Sequence, residues 1–241
     1  ICAVVMKFGK VWIRRSFSSP DLVSSASSAS TANALSPEAP ITEPMRTSSN
    51  NPVISAVSAA AALVRAPACI RGTLFDKEVY DSGVELNANN FCNLAVEAEM
   101  AIKVDADSNI LSVFPIIELH NFVFRAPQKS LPELIANNGL NRGLVSSAKS
   151  WQEPLEFYEK KLELSLEING SEIDSGELWP MEGGPTSSLH WLKNHLADHD
   201  LKILPGNIIL GGTALGLHKV QAGDRIDVKV GGKKAVNCFI K

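Results

Sequence analysis

No apolar run in this chain approaches the ~18 residues that a membrane-crossing helix needs, so no helical span is expected. Cysteine is scarce. Cys2, Cys69, Cys92 and Cys238 form no C-x-x-C pair. Cys92 and Cys238 sit within apolar runs and read as small buried hydrophobes in a reducing compartment. Positive charge is not in excess. The formal net charge is −3 and no basic stripe stands out, which argues against a nucleic-acid partner. Signatures of other chemistries are missing as well. There is no G-x-S-x-G elbow, and Gly83 and Gly143 lie in no phosphate-loop pattern. His195 and His199 are four apart on a candidate helix, but no H-E-x-x-H arrangement surrounds them. His199 falls in Asp198-His199-Asp200 near the helix end, where an imidazole meets the helix dipole favourably. His190, His195 and His199 therefore read as surface or capping residues, and Trp191 as a core anchor.

Acidic residues are absent before Asp21. From Met6 to Ser19 the chain is basic and Ser-rich, the composition of an organellar transit peptide. Residues 16–60 are rich in Ser, Ala, Asn and Pro, with few large apolar side chains. Such a segment cannot bury enough surface to offset the entropy of ordering it. The expected division is a disordered or targeting-like segment over 1–65 and one folded domain over 66–241. A length of 241 residues and a hydrophobic share of 45% fit a single domain. The expected location is the cytoplasm or an organelle matrix, mitochondrial or plastid.

What the folded part does contain is Glu97-Ala98-Glu99 inside Phe91–Val104, a run that otherwise reads as a strand. Side chains alternate faces along a strand, so Glu97 and Glu99 point the same way about 7 Å apart. Two carboxylates on one apolar face repel each other and are costly to desolvate. A divalent cation relieves both problems, since hard cations take carboxylate oxygens as ligands. A strand with a solvated, half-exposed face is the competing reading. Glu118 occupies a similar setting at the end of Val113-Phe114-Pro115-Ile116-Ile117.

The remaining pattern is β-rich. Leu162–Ile168 alternates apolar and polar residues, and Asn169-Gly170 supplies a two-residue turn into a partner strand over 171–178. Pro185–Leu196 is a helix candidate, with Leu189, Leu192 and Leu196 on one face. Ile208–Leu210 reads as a short buried strand ending in Gly211-Gly212. Ile226, Val228 and Val230, then Val236, Cys238 and Ile240, form a C-terminal hairpin across Gly231-Gly232. No repeated βαβ unit is evident.

Gly72-Thr73-Leu74-Phe75-Asp76 and Val96-Glu97-Ala98-Glu99-Met100-Ala101 resemble the fumarylacetoacetate hydrolase superfamily. More narrowly, they resemble its 2-keto-4-pentenoate hydratase and 4-oxalocrotonate decarboxylase branch. Further matches follow in the same order: Ile116-Ile117-Glu118-Leu119, Ile168-Asn169-Gly170, Pro185 with His190-Trp191-Leu192, Leu204 to Gly212, and Gln221-Ala222-Gly223-Asp224. The resemblance covers roughly residues 66–241.

The resemblance implies an α+β fold, a mixed β-rich rolled core with a few flanking helices and a site at its open mouth. It also implies that Glu97, Glu99 and Glu118 hold Mg²⁺ or Mn²⁺, and that a small 2-hydroxy-dienoate or 2-keto acid is hydrated. Thr213 sits where the family has a small hydroxyl residue, and reads either as a substrate contact or as a turn cap. Lys7-Phe8-Gly9 matches a lysine motif of the family, which competes with the transit-peptide reading. The partners implied are a keto or enol acid and further copies of the chain or a larger assembly. Three departures stand beside the matches. Asn137 replaces the acid of an Ala-Asp-Asn run, the interval from Glu99 to Glu118 is short, and the helix before the lysine motif is absent. They keep open a second class, a non-catalytic relative with a structural or assembly role. Decarboxylation is a near neighbour of the first.

Overall fold

The computed structural model describes residues 69–121, 130–158 and 161–241. The expectations for residues 1–65, including Lys7, lie outside the described residues. Two long strands form the spine of what is described. β3 (Leu94–Val104) and β4 (Ile110–Asn121) pair antiparallel, from Leu94↔Asn121 to Val104↔Ile110. The turn between them is held by its own side chain. Asp105 Oδ1 accepts from the N–H groups of Asp107 (2.9 Å) and Asn109 (2.8 Å), and Ser108 takes φ = 62°. An aspartate that bonds the backbone two residues on makes a tight reversal. The turn pins the register, and a one-residue slip would send every side chain to the opposite face.

Four more strands complete this first sheet: β1 (Val79–Asp81), β5 (Asn141–Ser146), β8 (Ile208–Leu210) and β9 (His218–Lys219). Its order is β1-β5-β4-β3-β8, with β9 also on β3. The second sheet runs β2-β11-β10-β6-β7, built from β2 (Val84–Leu86), β6 (Glu163–Ile168), β7 (Ser171–Glu177), β10 (Arg225–Val230) and β11 (Lys233–Ile240). β1 with β5 and β2 with β11 are parallel; the other pairs are antiparallel. The mixed, β-rich character expected from the sequence is what forms.

The alternation explains the layering. Val96, Ala98, Met100 and Ile102 of β3 face Leu164 and Leu166 of β6, Ile226 and Val228 of β10, and Val236 and Cys238 of β11 in the core between the sheets. Helix α2 (Gly184–Ala197) closes this core with Leu189, Leu192 and Leu196, one face as the 3.6-residue spacing requires. The odd-numbered residues of β3 point to the other face of the first sheet. There Ala101, Phe114, Ile116, Leu144 and Leu210 form a second core with Ile70, Leu74, Leu134 and Leu140. The short helix α1 (Leu131–Ala136), capped by Ser130, supplies Leu134. β3 is therefore buried on both faces.

The hairpin across Asn169-Gly170, the Ile208–Leu210 strand and the C-terminal hairpin all form as expected. Asn169 and Gly170 take φ of 55° and 79°, as the turn demands. Cys92 is a correction. It is exposed, not buried, because the strand begins at Leu94 and Phe91–Asn93 form a connecting segment tied by the Cys92 N–H to Asn121 Oδ1 (3.1 Å). Cys238 is buried as expected, and burial beside Asp227 pushes its thiol up to about 12.

Gly143 lets β1 lie against β5. Its φ is +152°, and a Cβ there would meet the Glu78 carbonyl oxygen at 2.6 Å. Gly143→Ala should lower stability by about 3 kcal/mol or more in urea unfolding, since backbone strain and overpacking combine. Gly83→Ala (φ +91°, nothing within 4 Å) carries the strain alone and should lose less.

Candidate metal centre

The register of the β3–β4 hairpin places Glu97 directly opposite Glu118 and Ala95 opposite His120. Glu99 lies two residues along the same face of β3. All four ionisable side chains have 0% exposure. His120 Nε2 stands 3.4 Å from Glu118 Oε2 and 3.6 Å from Glu97 Oε1. One donor atom from each of Glu97, Glu118 and His120 lies within 4.8 Å of the others.

Two neighbouring strands hold these groups. β8 continues into Gly211-Gly212, and the Gly212 N–H donates to Glu99 Oε1 at 2.5 Å. On the far side, β5 carries an irregularity against β4, so that Leu119 pairs with Gly143 but His120 pairs with Asn141. A bulge of this kind re-aims a side chain by one position. Asn141 is thereby brought to the cluster face, and its Nδ2 donates to Glu118 Oε1. The Gly143 N–H donates to Asn141 Oδ1 (3.2 Å), which orients the amide.

The electrostatics are costly. Two carboxylates about 4 Å apart repel by roughly 4 kcal/mol at an effective dielectric near 20. Burial pushes the Glu99 carboxyl well above the usual glutamate range; Glu118 and Glu97 push further, and only the Gly212 N–H opposes them. Burial alone would lower the His120 imidazole, but Glu118 and Glu97 outweigh it and hold it above its ordinary value. One imidazolium offsets only one of three carboxylates. Glu118 Oε2 and both ring nitrogens of His120 find no hydrogen-bond partner among the described residues. Unpartnered buried donors of oxygen and nitrogen, aimed at one another, fit a divalent ion.

The structure thus brings Glu97, Glu99 and Glu118 together, and the short interval between Glu99 and Glu118 displaces neither. Asn137 is elsewhere, exposed at the C-cap of α1. Thr213 is buried one residue past Gly212, and its hydroxyl accepts the Leu215 N–H at 3.0 Å. His120 and Asn141 were not read from the sequence. Glu118-Leu119-His120 repeats the alternate spacing of Glu97-Ala98-Glu99, a signal that was available. Asn141 had none, because the bulge alone turns it inward. The helix histidines stay apart from the cluster: His195 stacks on Trp191 at 4.9 Å, and His190 Nε2 pairs with Asn194 at 3.0 Å. A cavity of about 720 Å³ walled by Tyr158, Trp179, Met181 and the start of α2 is lined by none of the cluster side chains.

Two packed mixed sheets with this buried cluster define a fold of the fumarylacetoacetate hydrolase type. The resemblance to the hydratase and decarboxylase branch also stands. The chain is 24% identical over 186 residues to the 2-oxo-hept-4-ene-1,7-dioate hydratase of Escherichia coli, spanning 69% of each protein. It is 24% identical over 175 residues to the 2-hydroxyhexa-2,4-dienoate hydratase of Comamonas testosteroni, spanning 67% of this chain and 66% of that one. The structure matches 4-oxalocrotonate decarboxylase from Pseudomonas putida G7, complexed with magnesium and adipate. The TM-score is 0.64 at 20% identity, over 79% of this chain and 70% of that one. It also matches 5-carboxymethyl-2-hydroxymuconate delta-isomerase from Mycobacterium smegmatis, with a TM-score of 0.52 at 15% identity over 82% and 72%. No protein-family profile matches the chain. Among the described residues no helix is long and apolar enough to cross a membrane.

The buried acids set a pH dependence for the metal-free protein. A carboxyl whose folded value is raised stabilises the fold below its unfolded value, near ~4.3, and withdraws that contribution as pH rises through the folded value. His120, also raised, acts with the same sign from its unfolded value near ~6.5 upward. With chelator present, the melting temperature should therefore fall as pH rises above the ordinary glutamate range, and Glu99→Gln should flatten the decline. An unchanged profile in the variant would remove Glu99 as its source.

Proposed function

We propose that this protein is a metal-dependent lyase, a hydratase acting on a small 2-hydroxy-dienoate or 2-keto acid. The observation that carries the reading is the convergence of Glu97, Glu99, Glu118 and His120 on one fully buried sheet face. The two hydratase relatives support the chemistry. Glu97, Glu99 and Glu118 hold the ion, Mg²⁺ or Mn²⁺, and a magnesium complex of the decarboxylase neighbour supports that assignment. When bound, such an ion acts as a Lewis acid that stabilises negative charge developing on the substrate oxygens.

The chain's own residues hold this arrangement in place. The Gly212 N–H fixes Glu99, and the Asn141 amide fixes Glu118. Outer partners of this kind are worth about 10–100-fold in metal affinity or activity. The Thr213 hydroxyl, next to Gly212, hydrogen-bonds the substrate. The second core shares the sheet face with the cluster and keeps bulk solvent from it, which strengthens the charge interactions there. Protonation of the distal carbon and addition of water complete the hydration. Lys7, in the reading that gives it to the family's lysine motif, and a bound water are the candidates for that proton. The folded domain covers 66–241 and assembles with copies of itself or within a larger complex.

A second reading has its own support. Asn137 stands where the related enzymes carry an acid, and it is exposed on α1 rather than turned to the cluster. That favours a relative that keeps the fold and metal site for structure or assembly. Decarboxylation by the same site remains the near alternative.

The deciding assay follows loss of dienoate absorbance with and without chelator. Activity should disappear with chelator and return with added Mg²⁺ or Mn²⁺. Glu97→Gln should lower it by at least ~10²-fold, since it removes a charged ligand while keeping the shape. Stoichiometric metal binding with no turnover on any dienoate or keto acid would select the non-catalytic reading.

A further inference from the structure

We infer that the ion held by this cluster is bound through His120 as well as through Glu97 and Glu118, so that the site selects a first-row transition ion over Mg²⁺. The inference rests on the metal-dependent reading above and concerns which ion it takes. His120 is 0% exposed, and its Nε2 is aimed between two carboxylates at 3.4 and 3.6 Å. Ligand atoms about 2.1 Å from one ion lie roughly 3.0–3.4 Å apart, so these separations need only a small contraction. Nδ1 has no hydrogen-bond partner among the described residues, and Nε2 meets only the two carboxylates. A buried imidazole left in that state is costly unless something binds it.

The position of the ring is imposed by the sheet. His120 sits opposite Ala95, whose methyl leaves room over the strand, and opposite Asn141, which anchors the neighbouring Glu118. The ring therefore shares the space enclosed by the two carboxylates. An all-oxygen set suits Mg²⁺ and Ca²⁺, which are hard ions. Replacing one oxygen by an imidazole nitrogen moves the preference toward Mn²⁺, Fe²⁺, Co²⁺ and Zn²⁺, with affinity rising along that series. Two carboxylates with one imidazole form a mixed donor set of that type. Glu99, already held by the Gly212 N–H, stands beside them as a further oxygen donor.

The test uses the full chain, stripped with chelator, and three probes: Mn²⁺, Zn²⁺ and Mg²⁺. Affinities come from calorimetric titration, and pulsed electron paramagnetic resonance on the Mn²⁺-loaded protein reads nitrogen coupling to the metal. The expected results are nitrogen coupling in the native chain, tighter Zn²⁺ and Mn²⁺ than Mg²⁺, and loss of both in His120→Val. The variant should lose at least about 100-fold in Mn²⁺ and Zn²⁺ affinity, the upper end of what an outer-shell loss alone costs. Its Mg²⁺ affinity should change far less. If ions bind without nitrogen coupling and His120→Val keeps its ion preference, the role of His120 is overturned while the metal site stands. If none of the three ions binds the native chain, the metal-dependent reading itself falls and takes this inference with it. The resonance measurement on the native chain decides the matter even if the variant does not fold.

Discussion

The pairing of Glu97 with Glu118 across the β3–β4 hairpin is the constraint on which the rest depends. It follows from the tight Asp105–Asn109 turn, because a fixed reversal leaves one register for the two strands. Once that register is set, Ala95, Glu97, Glu99 and Ala101 share a face with Phe114, Ile116, Glu118 and His120. The opposite face is then apolar up to Asn121 at its end and can close on the second sheet. A shift of one residue would turn the acids into the core between the sheets and send Val96, Ala98, Met100 and Ile102 to the other face. The large core between the sheets therefore enforces the small polar cluster outside it, and the cluster's geometry inherits the stiffness of a packed interior.

Such a cluster is a poor device for stability. Three carboxylates and one imidazole without solvent cost more than well-packed apolar side chains of the same volume. The sequence spends apolar surface to cover them: Leu74, Leu134, Leu140 and Leu144 lie in the second core beside Phe114 and Ile116. Strongly perturbed ionisable groups held in a covered site are the mark of a functional centre more often than of a structural one. The supporting bonds have the same character. Gly212 gives a backbone N–H to Glu99, and Gly143 orients the amide that holds Glu118. Both are glycines, and both stand where β3 or β4 meets its neighbour, so the second shell is made largely of backbone.

Much of the local structure was legible. Period-two alternation identified the β6–β7 and β10–β11 hairpins, and the leucine spacing identified α2, because each of these elements turns one apolar face to the core and carries its polar residues on the other. The acid pair on β3 was legible for the opposite reason: charged residues interrupt a strand that is otherwise apolar on both faces. Cys92 misled, since apolar neighbours in sequence do not guarantee burial in a segment that ends before the strand begins. Asn137 stood at the position that resemblance marked, yet the amide bonded to Glu118 is that of Asn141, four residues on. No periodicity records a bulge, because the extra residue changes which face is reached only when the partner strand is in place.

By itself, the sequence determined which residues are apolar at which period, where turns are permitted, and that three carboxylates lie in strand-forming runs. Those properties depend on neighbours a few residues apart. The tertiary structure alone decided that Asn141 and Gly212 hold them, and that all four ionisable groups lose contact with water. These depend on pairings between strands far apart in the chain, such as Ala101 with Leu210 and His120 with Asn141. Burial is a property of the assembled layers, and a charge that would be harmless on an exposed strand becomes a candidate ligand only when those layers close over it.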